Sequence, residues 1–133
     1  DYAGAYGNRA NLYANTDRMT EALADYDRVI ALDPEHILAY AGRSEVRLCA
    51  GENALAALDA STIIGLRPDF HGGYALRALA DFRRGKRSEA LADYARAIER
   101  EPAWRTEDGA ATYLTACPYS ALETVREILA AME

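Results

Sequence analysis

Catalysis needs a base, a nucleophile or a metal held within hydrogen-bond reach of its partners. The side chains able to serve are few here. The chain has two histidines, His36 and His71, and two cysteines, Cys49 and Cys117. Each histidine lies just after a proline, in a stretch that reads as a turn, with no His, Cys or Glu at ligand spacing. Both are therefore expected to be solvated turn histidines. The cysteines form no C-x-x-C pair, and their expected role is as small buried hydrophobes. Two cysteines do not fix the redox compartment. Gly72-Gly73 is too short to be a phosphate loop. No catalytic residue, cofactor or metal is expected. The one basic cluster, "FRRGKR" at Phe82–Arg87, falls where a helix should end, and cations there meet the negative end of the helix dipole. An acidic partner is the alternative use of that cluster.

Bulk charge narrows the partners. The 133 residues carry a net charge of -6, which argues against nucleic acid or an anionic membrane surface, since both need a cationic face. No apolar run approaches the ~20 residues that span a bilayer, so no membrane insertion is expected. Lys86 is the sole lysine among 15 basic residues. Such Arg and Ala bias is that of a GC-rich genome and points to a bacterial source.

The elements that carry these residues repeat. "ALADYDRVIALDP" at Ala22–Pro34 returns as "ALADYARAIEREP" at Ala90–Pro102, and "AALDASTIIGLRP" at Ala56–Pro68 lies midway. Pro34, Pro68 and Pro102 fix a step of 34, which "YGNRA", "YAGRS" and "YALRA" from Tyr6, Tyr40 and Tyr74 repeat. Apolar residues recur at helical spacing within each period, as in Ala22, Leu23, Tyr26, Val29 and Ile30. Gly51 and Gly85 mark helix stops, where glycine accepts the left-handed conformation, and Asp17 takes that place in the first period. Each proline introduces the next helix. Every period thus reads as two antiparallel helices, with boundaries near residues 17, 34, 51, 68, 85, 102 and 118.

The pattern resembles the tetratricopeptide repeat (TPR), a 34-residue unit reading W-x2-L-G-x2-Y, A-x3-F and P. Tyr6, Tyr40 and Tyr74 take the Trp place; Ala10, Ser44 and Ala78 take the Gly place. Ala22 with Tyr26, and Ala90 with Tyr94, match A-x3-F. Arg9, Arg43 and Arg77 replace the family Leu, and their long stems can still pack. The resemblance implies an all-α, right-handed α-solenoid forming one domain. Its repeats run over about 3–36, 37–70 and 71–104, with a divergent fourth pair or cap at 105–133. In that cap Thr106 starts a helix that should stop near Cys117. Ser120 and Glu123 form a capping box, and Leu122, Val125, Ile128, Leu129 and Met132 form a buried stripe. Asp1-Tyr2 aligns with Glu35-His36 and Asp69-Phe70, so either a longer parent chain supplies a proline before Asp1 or the array starts here. At equivalent first-helix positions Tyr13, Arg47, Asp81 and Thr115 should form a polar ladder, with Arg47 paired to Asp81.

In the resembling family the first helices line a concave face that binds proteins. The corresponding positions here are mostly small or apolar. A partner segment is expected to be held by Leu48, Leu79, Phe82 and Tyr113, with Asn8, Asn11 and Asn15 bonding its backbone and Glu45 in the same face. Family members that grip acidic chaperone tails use a clamp of Lys, Asn and Arg. Its positions correspond to Gly7, Asn11, Gly42, Gly72 and Leu76, and only Asn11 agrees. The function implied is a non-catalytic protein–protein interaction module without a carboxylate clamp. The alternative is a structural unit that stacks through its N-terminal repeat face, in a longer array or as a homo-oligomer.

Overall fold

The computed structural model describes residues 2–15, 18–114, 116 and 118–133. Helices follow one another as α1 (Tyr2–Asn15), α2 (Met19–Leu32), α3 (Ile37–Cys49), α4 (Asn53–Leu66), α5 (His71–Arg83) and α6 (Arg87–Arg100). A 3-10 turn (Pro102–Arg105), a short α7 (Glu107–Ala111) and α8 (Pro118–Ala131) complete the chain. No strand occurs among the described residues. The helices form an α-solenoid of antiparallel pairs.

The 34-residue step sets the core. Ala10, Ser44 and Ala78, the small positions of the first helices, are all completely buried, as are Ala22, Ala56 and Ala90 of the second helices. Absence of a large side chain at both places lets paired helices approach. Ser44, the one polar member, donates its hydroxyl to the Ala56 carbonyl at 2.9 Å, so burying it costs little. Val29, Ile63 and Ala97 fill the next turn of each second helix, and burial of a Val or Ile side chain contributes about 1.5–3 kcal/mol. Gly51 and Gly85 hold φ of 78° and 81°, the left-handed stops foreseen from their spacing. Asp17 lies outside the described residues. The tyrosines in the Trp place use their hydroxyls: Tyr40 donates to the Pro34 carbonyl and Tyr74 to that of Pro68.

A ladder of charges ties each pair together. Arg9 grips Asp25 through two bonds of 2.7 and 2.8 Å. Arg43 does the same to Asp59, and Arg77 to Asp93. The three aspartates are buried, so each carboxylate needs the forked guanidinium that the sequence supplies 16 residues earlier. Each also takes a second arginine: Arg28 for Asp25, Arg96 for Asp93 and Arg47 for Asp59. Thr62 stands where the period would place the equivalent of Arg28 and Arg96, and Arg47 reaches over from α3 in its stead. Arg43 and Arg77 also reach back one repeat, to Asp27 and to the Ser61 hydroxyl. The family Leu position has thus become a cross-helix bond.

This geometry corrects the expected Arg47–Asp81 pair. Arg47 is drawn to Asp59, and Asp81 accepts instead from Arg84, three residues on and just past the end of α5. Thr115, the last member of that expected ladder, lies outside the described residues. Within the basic cluster, Arg83 turns toward α8 and donates to the Leu48 and Ser120 carbonyls and the Ser120 and Thr124 hydroxyls, while Arg84, Lys86 and Arg87 are exposed.

The fourth pair also differs from expectation. Thr106 caps α7 as foreseen, accepting from the Gly109 amide at 2.9 Å, but that helix ends at Ala111. The preceding 3-10 turn lies directly on it: a side chain on Gly109 would meet the Ala103 carbonyl oxygen at 1.9 Å. Trp104 plugs the core from that turn and is 1% exposed. Pro118 is the first residue of α8, which puts Ser120 inside the helix rather than at its cap. Met132 lies beyond the last turn and is exposed, while Val125 and Ile128 are buried. Cys49 is not a free thiol: it is disulfide-bonded. Cys117 lies outside the described residues.

Candidate functional site

The first helices line one hollow. A cavity of about 220 Å³ is walled by Leu38 and Glu45 of α3, Gly72 and Leu76 of α5, and Tyr113 after α7. A second, of about 200 Å³, adjoins it through Asn11 and Leu38 and extends to Gly7, Asn8 and His36. Among the described residues, no Lys or Arg lines either cavity. Leu38 is 61% exposed, an apolar side chain standing in open groove.

Aromatic rings make the far wall. The Trp104 indole N–H donates to His71 Nδ1 at 2.9 Å. Tyr113 stacks on Trp104 with centroids 5.4 Å apart, and His71 meets Tyr113 edge-on at 4.6 Å. Tyr94 locks the indole from behind, its hydroxyl donating to the Trp104 carbonyl at 2.6 Å. Burial holds the His71 imidazole below its ordinary value, against the opposing pull of Glu101. His71 is therefore a packed and bonded ring, which corrects its expected place as a solvated turn residue. His36 does sit at a turn, and its Nδ1 caps α3 by accepting from the Ala39 amide. Glu101 accepts from the Ala103 amide and the Tyr113 hydroxyl, which hold its carboxyl below the usual range.

The floor is shaped by an absence of side chain. At Gly42 an added Cβ would lie 2.3 Å from the Tyr26 ring. Tyr26 of α2 thus reaches through to α3, and its hydroxyl donates to the Asn11 carboxamide oxygen at 2.6 Å. Burial raises the Tyr26 phenol above its ordinary value, and the nearby Glu45 charge adds to the shift.

The residues expected at the site divide. Asn8, Asn11, Glu45 and Tyr113 line the hollow. Leu48 and Leu79 are 3% and 0% exposed and have no surface to offer. Ala116, Ser120 and Ala121 close over Leu48, and Leu79 belongs to the core beneath α5. Phe82 is half-buried, with the Arg87 guanidinium 5.9 Å from its ring centroid, and lines neither cavity. The side chain of Asn15 lies outside the described residues. Sequence reasoning missed Phe70, His71 and Trp104 as wall residues. A signal existed: His36, Phe70 and Trp104 each follow a repeat-closing proline by two residues. No cluster of three or more metal-ligating side chains occurs among the described residues. Nor is any helix long and apolar enough to cross a membrane among them.

Comparison with known proteins adds family context. Residues 3–36 match the tetratricopeptide repeat family model. The mouse protein "DnaJ homolog subfamily C member 3" is 27% identical over 97 residues, covering 73% of this chain and 19% of that protein. The "Protein STIP1 homolog" of Dictyostelium discoideum is 28% identical over 100 residues, covering 75% and 18%. The chain thus spans about a fifth of the length of these curated relatives. Among solved structures, the first TPR of Spaghetti (RPAP3) bound to the HSP90 peptide SRMEEVD superposes with a TM-score of 0.76. Its identity is 23%, over 98% of this chain and 92% of that one. The Arabidopsis OM64 TPR domain superposes with a TM-score of 0.75 at 18% identity, over 94% of each chain. The second TPR domain of human RPAP3, in complex with the HSP70 peptide SGPTIEEVD, gives 0.74 at 23% identity, over 96% of this chain and 94% of that one.

Proposed function

The chain is a tetratricopeptide-repeat protein, and from that premise we propose that it is a non-catalytic interaction module whose concave groove binds an extended segment of a partner protein. We read the whole chain as one domain, with repeats at 3–36, 37–70 and 71–104 and a cap at 105–133. The observation that carries the reading is the hollow itself. Two adjoining cavities run across three consecutive first helices, floored by small residues and walled by exposed Leu38 and Tyr113. An open apolar groove of this kind marks a binding surface.

The groove departs from the acidic-tail type represented by the RPAP3 complexes. At the clamp positions Gly7, Gly42, Gly72 and Leu76 there is no cation to bond a carboxylate. Asn11, the one matching residue, accepts from the Tyr26 hydroxyl through its carboxamide oxygen, so its amide N–H groups are the neutral donors left at the clamp positions. The Tyr26 ring also occupies the space a side chain at position 42 would need. The peptide SRMEEVD, titrated into the intact chain in a calorimeter, is therefore expected to give no heat of binding at micromolar concentrations. Micromolar affinity overturns the clamp-free reading.

The groove reading itself is tested by peptide display on the intact chain. Binders recovered in this way should be lost when Leu38 and Tyr113 are both changed to Ser, with the helical circular dichroism and melting curve nearly unchanged. Binding that survives the double substitution moves the contact off the groove. The stacking alternative, through the N-terminal repeat face, then becomes the better account.

A further inference from the structure

Several polar side chains of the hollow are already oriented by bonds made within the chain, and in the same sense. The Asn11 carboxamide oxygen accepts from the Tyr26 hydroxyl. His36 Nδ1 accepts from the Ala39 amide, and His71 Nδ1 from the Trp104 indole N–H. A neutral imidazole whose Nδ1 accepts carries its proton on Nε2. What Asn11, His36 and His71 still offer is therefore an N–H. Asn11 belongs to both cavities, His36 to the smaller and His71 to the larger, so donors are spread along the whole hollow. Glu45 lines the larger cavity and is engaged within the chain. Asn8, in the smaller, can donate or accept.

The apolar part of the hollow is largely ring. A Cβ at Gly72 would meet the Phe70 ring at 2.6 Å, so that ring takes the space a side chain would fill. Tyr113 is stacked on Trp104 and is still 38% exposed, and Leu38 stands open in the same cavity.

We propose that the groove takes a proline-containing segment in the polyproline II conformation. The inference rests on the groove reading above and adds the chemistry of the occupant. Such a segment makes no hydrogen bonds within itself and leaves its carbonyls open to outside donors, which suits Asn11, His36 and His71. Proline has no N–H, so contact with those donors strands none of the peptide's own. An ordinary extended segment brings an N–H with every carbonyl. The compact proline ring packs on aromatic and apolar faces such as Tyr113 and Leu38, and the stiff chain loses little entropy on docking.

The test sorts a displayed dodecapeptide library on the intact chain and keeps the binders that Leu38→Ser with Tyr113→Ser abolishes. Proline should be enriched among them over its frequency in the unsorted library. For the tightest binder, made synthetically, changing its prolines to Ala should weaken binding about tenfold, because stiffness and ring contact are lost together. Asn11→Asp keeps an oxygen for Tyr26 and exchanges the N–H donors for an acceptor. It should weaken the proline peptide by a factor of about ten as well. The peptide arm leaves the protein unaltered, so a loss of fold in the variant cannot obscure the answer. Groove-dependent binders without proline enrichment, or a proline peptide indifferent to either change, overturn this inference while leaving the groove reading in place. Failure to recover any groove-dependent binder overturns both.

Discussion

Asp59 shows how much weight one side chain carries in this solenoid. It is 3% exposed and accepts from Arg43 and Arg47, themselves well covered. Asp59→Ala leaves two guanidinium groups facing each other with their shared partner gone. It is expected to cost about 3 kcal/mol or more in urea denaturation, since the remaining charges are only partly able to rehydrate. Asp25 is as buried, but Arg9 and Arg28 are half exposed, and water can replace the lost carboxylate. Asp25→Ala should therefore cost distinctly less, and equal losses at the two sites would show that arginine burial does not set the energy. His71 gives a second residue-scale expectation. Burial lowers its folded pKa beneath the ordinary 6.5, so the unfolded chain protonates first as pH falls. The stability it contributes is complete above about pH 6.5 and is lost as pH drops toward the folded value. Protonation of Nδ1 also ends its role as acceptor for Trp104. The midpoint of thermal unfolding should fall between pH 7 and 5, and His71→Phe should remove part of that fall. An unchanged slope in the variant assigns the acid sensitivity to other groups.

At the scale of elements, two glycines separate backbone freedom from steric need. Gly65 lies in α4, exposed, with nothing within 4 Å of where a Cβ would stand. Gly65→Ala should stabilise the chain by about 0.5–1 kcal/mol, because the unfolded state loses freedom while the helix gains a better former. Gly109 lies in α7 against the backbone carbonyl of Ala103, and backbone cannot step aside as a flexible side chain can. Gly109→Ala should destabilise the cap by about 1–3 kcal/mol, the usual range for overpacking. Parallel melts of the two variants check both signs. Helix α8 depends on Arg83, whose four donations join it to α5 and the end of α3. Burial lowers the Arg83 pKa, against the pull of Glu123 and Glu127. Arg83→Met keeps the apolar stem and removes the donors. Hydrogen exchange should then speed up across α8 while α4 and α6 keep their protection. Uniform acceleration along the chain would mean that α8 does not open on its own.

For the molecule as a whole, what could be read in the sequence was whatever the 34-residue step imposed. Three prolines and two left-handed glycines fix where helices start and stop, because those constraints are local to the backbone. The small residues Ala10, Ser44 and Ala78 mark close approach for the same reason. The Arg–Asp ladder obeys the same step, in Arg9, Arg43 and Arg77 and in Asp25, Asp59 and Asp93. It goes unseen when periodicity is sought only in apolar residues. The groove was legible in part. Asn11 and Glu45 lie where first-helix spacing puts them, whereas Tyr113 reaches the hollow from the turn after α7. Leu48 and Leu79 share that helical face but are covered, Leu48 by Ala116, Ser120 and Ala121 at the far end of the hollow and Leu79 within the core beneath α5. Helical spacing assigns a direction to a side chain; it cannot say what a distant element later lays upon it. Trp104 escaped for the converse reason. It belongs to a turn, and only the ring contacts with His71, Tyr94 and Tyr113 bring it to the wall.

The contact between Tyr26 and Gly42 makes the two positions interdependent. An asparagine introduced alone at 42 collides with the ring. A smaller residue introduced alone at 26 opens a void under α3 and strips Asn11 of its bond. Each single step is costly, and only the two together restore room and partner, a strongly non-additive pair. Positions 26 and 42, on the adjacent helices α2 and α3, are thus coupled, and neither can be exchanged neutrally by itself.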